Sequence, residues 1–160
     1  MAPNPLRQLA YWLSRREWIM RCAPIVLPTE RVLRRISGGR KGVLDVAGLP
    51  SIEITVAGRK TGLPRSTSLL YVPHDELFIV VGSNWGRPEH PAWSANLRAV
   101  DTASVQHQGE RFRVAVREIT GIERKQVWDL AVEFWPGYEM EHELSGGRVF
   151  RIFELRRLTT

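Results

Sequence analysis

The chain has a single cysteine, Cys22, no apolar run long enough to span a membrane, and few acids in its first quarter. One cysteine excludes an internal disulfide framework and suits a reducing compartment. The longest early apolar run, Cys22-Ala23-Pro24-Ile25-Val26-Leu27, is short and is broken by Pro24, so neither a secretory signal nor a membrane span is expected. No internal repeat or low-complexity tract occurs, which excludes solenoids and arrays. The stretch Glu139-Met140-Glu141-His142-Glu143 lacks the paired histidines of a zinc helix, so no metal is expected. What remains is a cytoplasmic chain of 160 residues, a length that ordinarily makes one domain with one substantial core.

The net charge of +6 is unevenly spread. Residues 1–41 hold nine Arg or Lys against Glu17 and Glu30, a formal +7, which leaves about −1 for residues 42–160. A basic arm calls for an anionic partner, either nucleic acid or an anionic membrane surface. Residues 5–22 have helical periodicity, with Leu6, Leu9, Ala10, Leu13 and Met20 near one face. Pro24 and Pro28 are expected to end this helix or to separate it from a second basic turn at residues 30–36. The joint Ser37-Gly38-Gly39-Arg40-Lys41-Gly42 then suggests two parts, a basic amphipathic arm over 1–41 and a body over 42–160.

The body changes to strand signals. Ile52, Ile54 and Val56 alternate with small or polar residues, residues 66–72 form a second strand, and Leu77-Phe78-Ile79-Val80-Val81 has the continuous apolarity of a buried strand. Pro91 opens a helix through Trp93 and Leu97. Phe112, Val114 and Val116 alternate with arginines on a return strand. Thr120-Gly121-Ile122-Glu123 has the form of a capping box, and the helix it starts should stop at Trp135-Pro136-Gly137. About six strands on hairpin-scale turns, with only two inserted helices, cannot make a parallel doubly wound sheet. The fold class is therefore α+β, a small antiparallel barrel with attached helices.

Three stretches carry candidate chemistry. Gly58-Arg59-Lys60-Thr61-Gly62-Leu63-Pro64-Arg65 is a glycine-bounded turn whose three cations and open backbone N–H groups suit a phosphate or carboxylate. It lacks the phosphate-loop spacing, so a nucleoside triphosphate is not expected. Gly82-Ser83-Asn84-Trp85-Gly86 follows a buried strand, where Ser83 and Asn84 offer hydrogen bonds to a planar heterocycle. Tyr138, after Pro136-Gly137, is expected on an irregular loop, where its phenol can donate to a substrate carbonyl. Each has a plainer reading as a solvated turn or a surface aromatic, and Trp93 equally reads as a core anchor.

Taken together with Pro91-Ala92-Trp93-x-x-Asn96-Leu97 and Pro136-Gly137-Tyr138, these stretches resemble the deazaflavin (F420)-dependent nitroreductase family over roughly residues 45–155. The resemblance implies a split antiparallel β-barrel like that of the FMN-binding oxidases, and hydride transfer from reduced coenzyme F420 to an electron-poor acceptor. Quinones are the implied natural class and nitroaromatics adventitious ones. It also implies that Arg59, Lys60, Thr61 and Arg65 hold the anionic tail, that Ser83 and Asn84 lie along the ring edge, that Pro91 and Trp93 pack beside the cofactor, and that Tyr138 faces the substrate as the catalytic residue. Two positions depart from the family. Asn84 replaces a common lysine, and Glu141 replaces an aromatic, which is expected to make the substrate wall acidic. An FMN-binding oxidoreductase on the same barrel and a non-catalytic F420-sequestering protein are the alternatives. The basic helix would lie on the inner face of an anionic membrane or dock on the barrel, a homodimer is possible, and no nucleic-acid partner is expected, because the body lacks a base-stacking strand motif.

Overall fold

The computed structural model describes residues 5–159; residues 1–4 of the arm and Thr160 lie outside the described residues. The body is one sheet of seven antiparallel strands, β1 (Ser51–Ala57), β2 (Pro64–Leu70), β3 (Val72–His74), β4 (Leu77–Val81), β5 (Thr102–His107), β6 (Glu110–Glu118) and β7 (Ile152–Arg157). Their order is β2-β1-β5-β6-β7-β4-β3. The two edge strands, β2 and β3, are consecutive in the chain and separated only by Tyr71. A sheet whose opposite ends are tied by one residue must curl until those ends approach, so a barrel forms with one unbonded seam. The expected strand over 66–72 is thus two edge strands that part at Tyr71, which raises the expected six to seven.

The curl separates two apolar layers. Ile52, Ile54, Val56, Val105, Val114, Phe153 and Leu155 fill the barrel interior with Val80 and Leu97. Ile79, Val81, Ile119 and Ile152 face outward, under Ala131, Tyr138 and Phe150. Strand β4 therefore contributes to both layers, which is why its sequence is continuously apolar rather than alternating.

Helix α5 (Ala92–Arg98) starts behind Pro91 as expected. Helix α6 (Glu123–Phe134) forms without the expected capping box, since no side chain caps its N-terminus. The Glu123 carboxylate is instead drawn to the Arg117 guanidinium of β6. Tyr138 is not on a loop. It lies in helix α7 (Gly137–Leu144), with Pro136 at the N-cap.

The arm is three helices, α1 (Pro5–Ser14), α2 (Glu17–Met20) and α3 (Ala23–Ile36), followed by a single turn, α4 (Val43–Val46). Pro24 marks the break between α2 and α3 as expected, in the first turn of α3, whereas Pro28 separates nothing and lies inside that helix. Beyond Pro28, α3 carries a buried ion pair that anchors it. Buried Glu30 and Arg34 pair at 2.7 Å. Arg34 also donates to Ser68 at 2.7 Å and to Ser51, while Glu30 accepts from the Val43 backbone N–H. The first helix docks separately, through Tyr11 on Trp135 at 5.5 Å between ring centroids. Among the described residues, no helix is long and apolar enough to cross a membrane.

Candidate functional site

The cationic turn joins β1 to β2. Gly58 N–H donates to the Leu63 carbonyl at 2.8 Å, Gly62 N–H to the Gly58 carbonyl at 2.7 Å, and Leu63 N–H to Thr61 Oγ1 at 3.3 Å. Gly62 has φ +69, which glycine adopts without strain. Arg59 N–H is also taken, by the buried Asn96 Oδ1 at 3.1 Å. The expectation of an open backbone cradle is thereby corrected: four of its N–H groups are already satisfied within the fold. What the turn does offer is charge. Arg59, Lys60 and Arg65 are exposed, and among the described residues their side chains have no acid or hydrogen-bond partner. The Asn96 bond fixes this turn against α5, the helix that carries Trp93.

Strand β4 delivers the second stretch. Gly82 N–H donates to the Arg151 carbonyl at 2.8 Å, and a Cβ at Gly82 would lie 3.5 Å from Pro91 Cγ. Beyond it the backbone turns through three consecutive left-handed residues, Asn84 (φ 52), Trp85 (φ 58) and Gly86 (φ 70). Two of these are not glycine, and such strain collects at functional sites. Asparagine tolerates this conformation better than most other residues do. Its Nδ2 donates to the Glu89 carbonyl at 2.8 Å.

Arg148 holds the strained loop in place. Its Nη1 donates to the Gly82 carbonyl at 3.0 Å, its Nη2 to Ser83 at 2.7 Å and Arg87 at 3.1 Å, and its Nε to Arg87 at 3.3 Å. The guanidinium lies 4.5 Å from the Phe150 ring centroid and 3.1 Å from His90 Nδ1. Desolvation, then Arg151, Arg148 and Arg98, keeps His90 below the usual histidine pKa.

Helix α7 closes the loop from the other side. A Cβ at Gly86 would meet Leu144 Cβ at 3.0 Å and the Glu141 carbonyl at 3.1 Å, so only glycine permits this approach. Glu141 is 5 % exposed, bonds Ser83 and Trp135, and leaves its Oε2 without a partner. Burial pushes its carboxyl up to about 7, against the pull of Ser83, Trp135 and Arg148. The expected acidic wall is therefore corrected: Glu141 is turned inward beneath Ser83. Tyr138 is also buried, 3 % exposed, beside Trp128. Burial, then the Glu141 charge, raises its phenol well above the usual range, which keeps it protonated.

The structure ties Arg59 through Asn96 to α5, the helix that carries Trp93, and sets Pro91 against Gly82, next to Ser83 and Asn84. Trp93 packs on Phe153 at 6.0 Å between centroids and is half-buried against the barrel interior. Arg65 leads the exposed start of β2 opposite Val56. Asn96, Arg148 and Arg151 were absent from the sequence expectation. Asn96 stood within the tryptophan motif, whereas the two arginines reach the site from about 60 residues away, with nothing local to mark them.

The chain resembles known proteins. A family model described as F420H(2)-dependent quinone reductase matches residues 29–148. The F420H(2)-dependent quinone reductase of Mycobacterium tuberculosis strain H37Rv is 28% identical over 111 residues, 69% of this chain and 71% of that protein. A solved F420-H2 dependent reductase (FDR-A) matches with a TM-score of 0.59 and 32% identity, covering 67% of this chain and 94% of that one. A second structure, described as a domain-swapped dimer, matches at 0.61 with 28% identity over 79% of this chain and 95% of its own.

Proposed function

The chain belongs to the F420H(2)-dependent quinone reductase family, and we propose that it binds coenzyme F420 in the groove between the cationic turn, α5 and the 82–86 loop. The protein is an F420-dependent oxidoreductase acting on quinones. The observation that carries the site is the turn itself: three unpaired cations fixed to the tryptophan helix by the Arg59–Asn96 bond. That donor set suits a polyanionic tail, and the loop beside Pro91 suits a flat neutral ring. When bound, the reduced deazaflavin supplies a hydride. The chain's own contribution is placement and exclusion of water. Arg59, Lys60, Thr61 and Arg65 would hold the tail, Ser83 and Asn84 would line the ring edge, and Pro91 and Trp93 would form the apolar wall. Tyr138, sealed in α7, would shape this wall from behind, and the acceptor's proton would come from solvent. Residues 42–160 form the cofactor-binding unit in this reading.

Titration of F420 against tryptophan fluorescence is the test. Saturable quenching is expected, and each of Arg59→Ala, Lys60→Ala and Arg65→Ala should weaken binding by about fivefold, near 1 kcal/mol for an exposed charged contact. FMN should bind more weakly, because a single phosphate uses fewer of the cations. Tyr138→Phe should leave quinone turnover within about threefold, whereas a hundredfold loss would restore it as the proton donor. Absence of quenching at cofactor concentrations on the order of tens of micromolar would remove the reading. Binding without oxidation across quinones, nitroaromatics and enones would favour a sequestering protein instead.

We further propose that the arm touches an anionic lipid surface. Leu9, Trp12, Trp18 and Ile25 are each at least half exposed, among the exposed Arg15, Arg16 and Arg21. Co-sedimentation with phosphatidylglycerol vesicles, lost in Trp12→Ser/Trp18→Ser, is expected. A dimer in solution that buries both tryptophans, with no vesicle binding, would replace this proposal.

A further inference from the structure

The structure holds a cleft of about 320 Å³, lined by His90, Arg98, Glu118, Arg124 and Arg151 among others. Its charges do not cancel. Glu118 is its one acid, and it is spent on Arg98 through two hydrogen bonds of 2.7 and 2.9 Å. Arg124 donates to the neutral Phe150 carbonyl at 2.7 Å and Arg151 to the neutral Ser94 hydroxyl at 3.1 Å. Both guanidinium charges thus remain uncompensated, half-buried beside an apolar wall that includes Ile119 and Phe150. Neighbouring groups register the resulting field. Arg151 is held below its ordinary value by desolvation and then by Arg98, with Arg59 adding to the effect and Glu118 opposing it. His90 is lowered by desolvation and then by Arg151, Arg148 and Arg98. Gathering like charges in a partly dry cleft is unfavourable unless an anion joins them.

We propose that this cleft is an oxyanion-binding subsite, with Arg151 and Arg124 supplying its charge. Its ligand is a tetrahedral dianion or a carboxylate chain, and the site does not depend on the cationic turn holding a cofactor. A carboxylate chain leaving the turn past Arg59 is one source, and a free dianion is the other.

The test reads His90 by proton NMR, its imidazole signal assigned with His90→Gln, at constant ionic strength set with chloride. Exposed His74, paired only with Asp75, serves as the reference. Sulfate and tri-γ-glutamate are titrated separately. Saturable binding of either is expected to raise the His90 pKa by roughly half a unit while leaving His74 still. Arg151→Gln, which keeps a donor for Ser94, should weaken binding by about tenfold, with partial recovery in Arg151→Lys. Arg124→Gln should weaken it independently. Sulfate alone binding identifies a free dianion, and displacement of sulfate by tri-γ-glutamate identifies a carboxylate chain. Equal movement of His90 and His74 with both probes, or unchanged affinity in both arginine variants, would overturn the subsite whatever the outcome of the F420 titration.

Discussion

Glu141→Gln is expected to stabilise the protein at pH 8 and to leave its stability almost unchanged at pH 4.5. The carboxyl is 5 % exposed, with one oxygen unpartnered, and its value is raised from the ordinary 4.5 to about 7. A raised carboxyl binds a proton in the folded state that the unfolded chain has already released. Between pH 4.5 and 7 the folded state therefore holds more protons, and stability falls as pH rises through this window. Above pH 7 the whole penalty is present; below pH 4.5 none is. The difference amounts to about 3 kcal/mol, or roughly 6–12 °C in Tm for a chain of this size. Glutamine keeps an oxygen for Ser83 and Trp135 and carries no charge to desolvate. Other groups titrate nearby: His90 and His107 are both depressed by burial, so they destabilise the fold as pH falls below their unfolded value. Those contributions are common to both proteins and cancel in the difference. Urea unfolding of both proteins from pH 4.5 to 8 measures it. A difference independent of pH would show that Glu141 is ionised and paired throughout.

The same residue shows where sequence reading stops. The buried residues of α7 are Gly137, Tyr138 and Glu141, of which the first has no side chain and the last is a carboxylic acid. An apolar-periodicity reading therefore sees no helix there, and Pro136-Gly137 reads as a break. In the structure Pro136 starts the helix, and Gly137 is needed because a Cβ would lie 2.9 Å from the Ser14 carbonyl. The continuation of α3 through Pro28 was hidden in the same way, since the Glu30–Arg34 pair that anchors it looks like surface charge until it is buried against Ser51 and Ser68. The strands were legible because alternation and apolar runs are local properties, and β4 and β6 fall where those patterns put them. The cationic turn and the strained loop were legible for the same reason. What brings them together is not local: Asn96 reaches back to Arg59, and Arg148 reaches back to the loop.

Arg148→Met is expected to cost more than any single cation of the turn, weakening F420 binding by roughly 30-fold and lowering stability by about 2–3 kcal/mol. The guanidinium satisfies the carbonyls of Gly82, Ser83 and Arg87 together and lies against Phe150. Methionine preserves much of the stem's packing, so the loss isolates the hydrogen bonds. Without them, the left-handed residues Asn84 and Trp85, each costing on the order of 1 kcal/mol, have little to hold them and should relax toward ordinary backbone conformations. Arg148→Lys should recover little, because a single ammonium cannot span three carbonyls as a planar fork does. Hydrogen exchange separates this from a general loss of stability: amides at 83–90 should open faster than those of β4 and β7, which the sheet ladder protects. Unchanged exchange at 83–90 together with unchanged F420 affinity would show that the loop keeps its shape unaided. In that case the strain at Asn84 and Trp85 must be held by α7 alone, through the contact of Glu141 and Leu144 with Gly86.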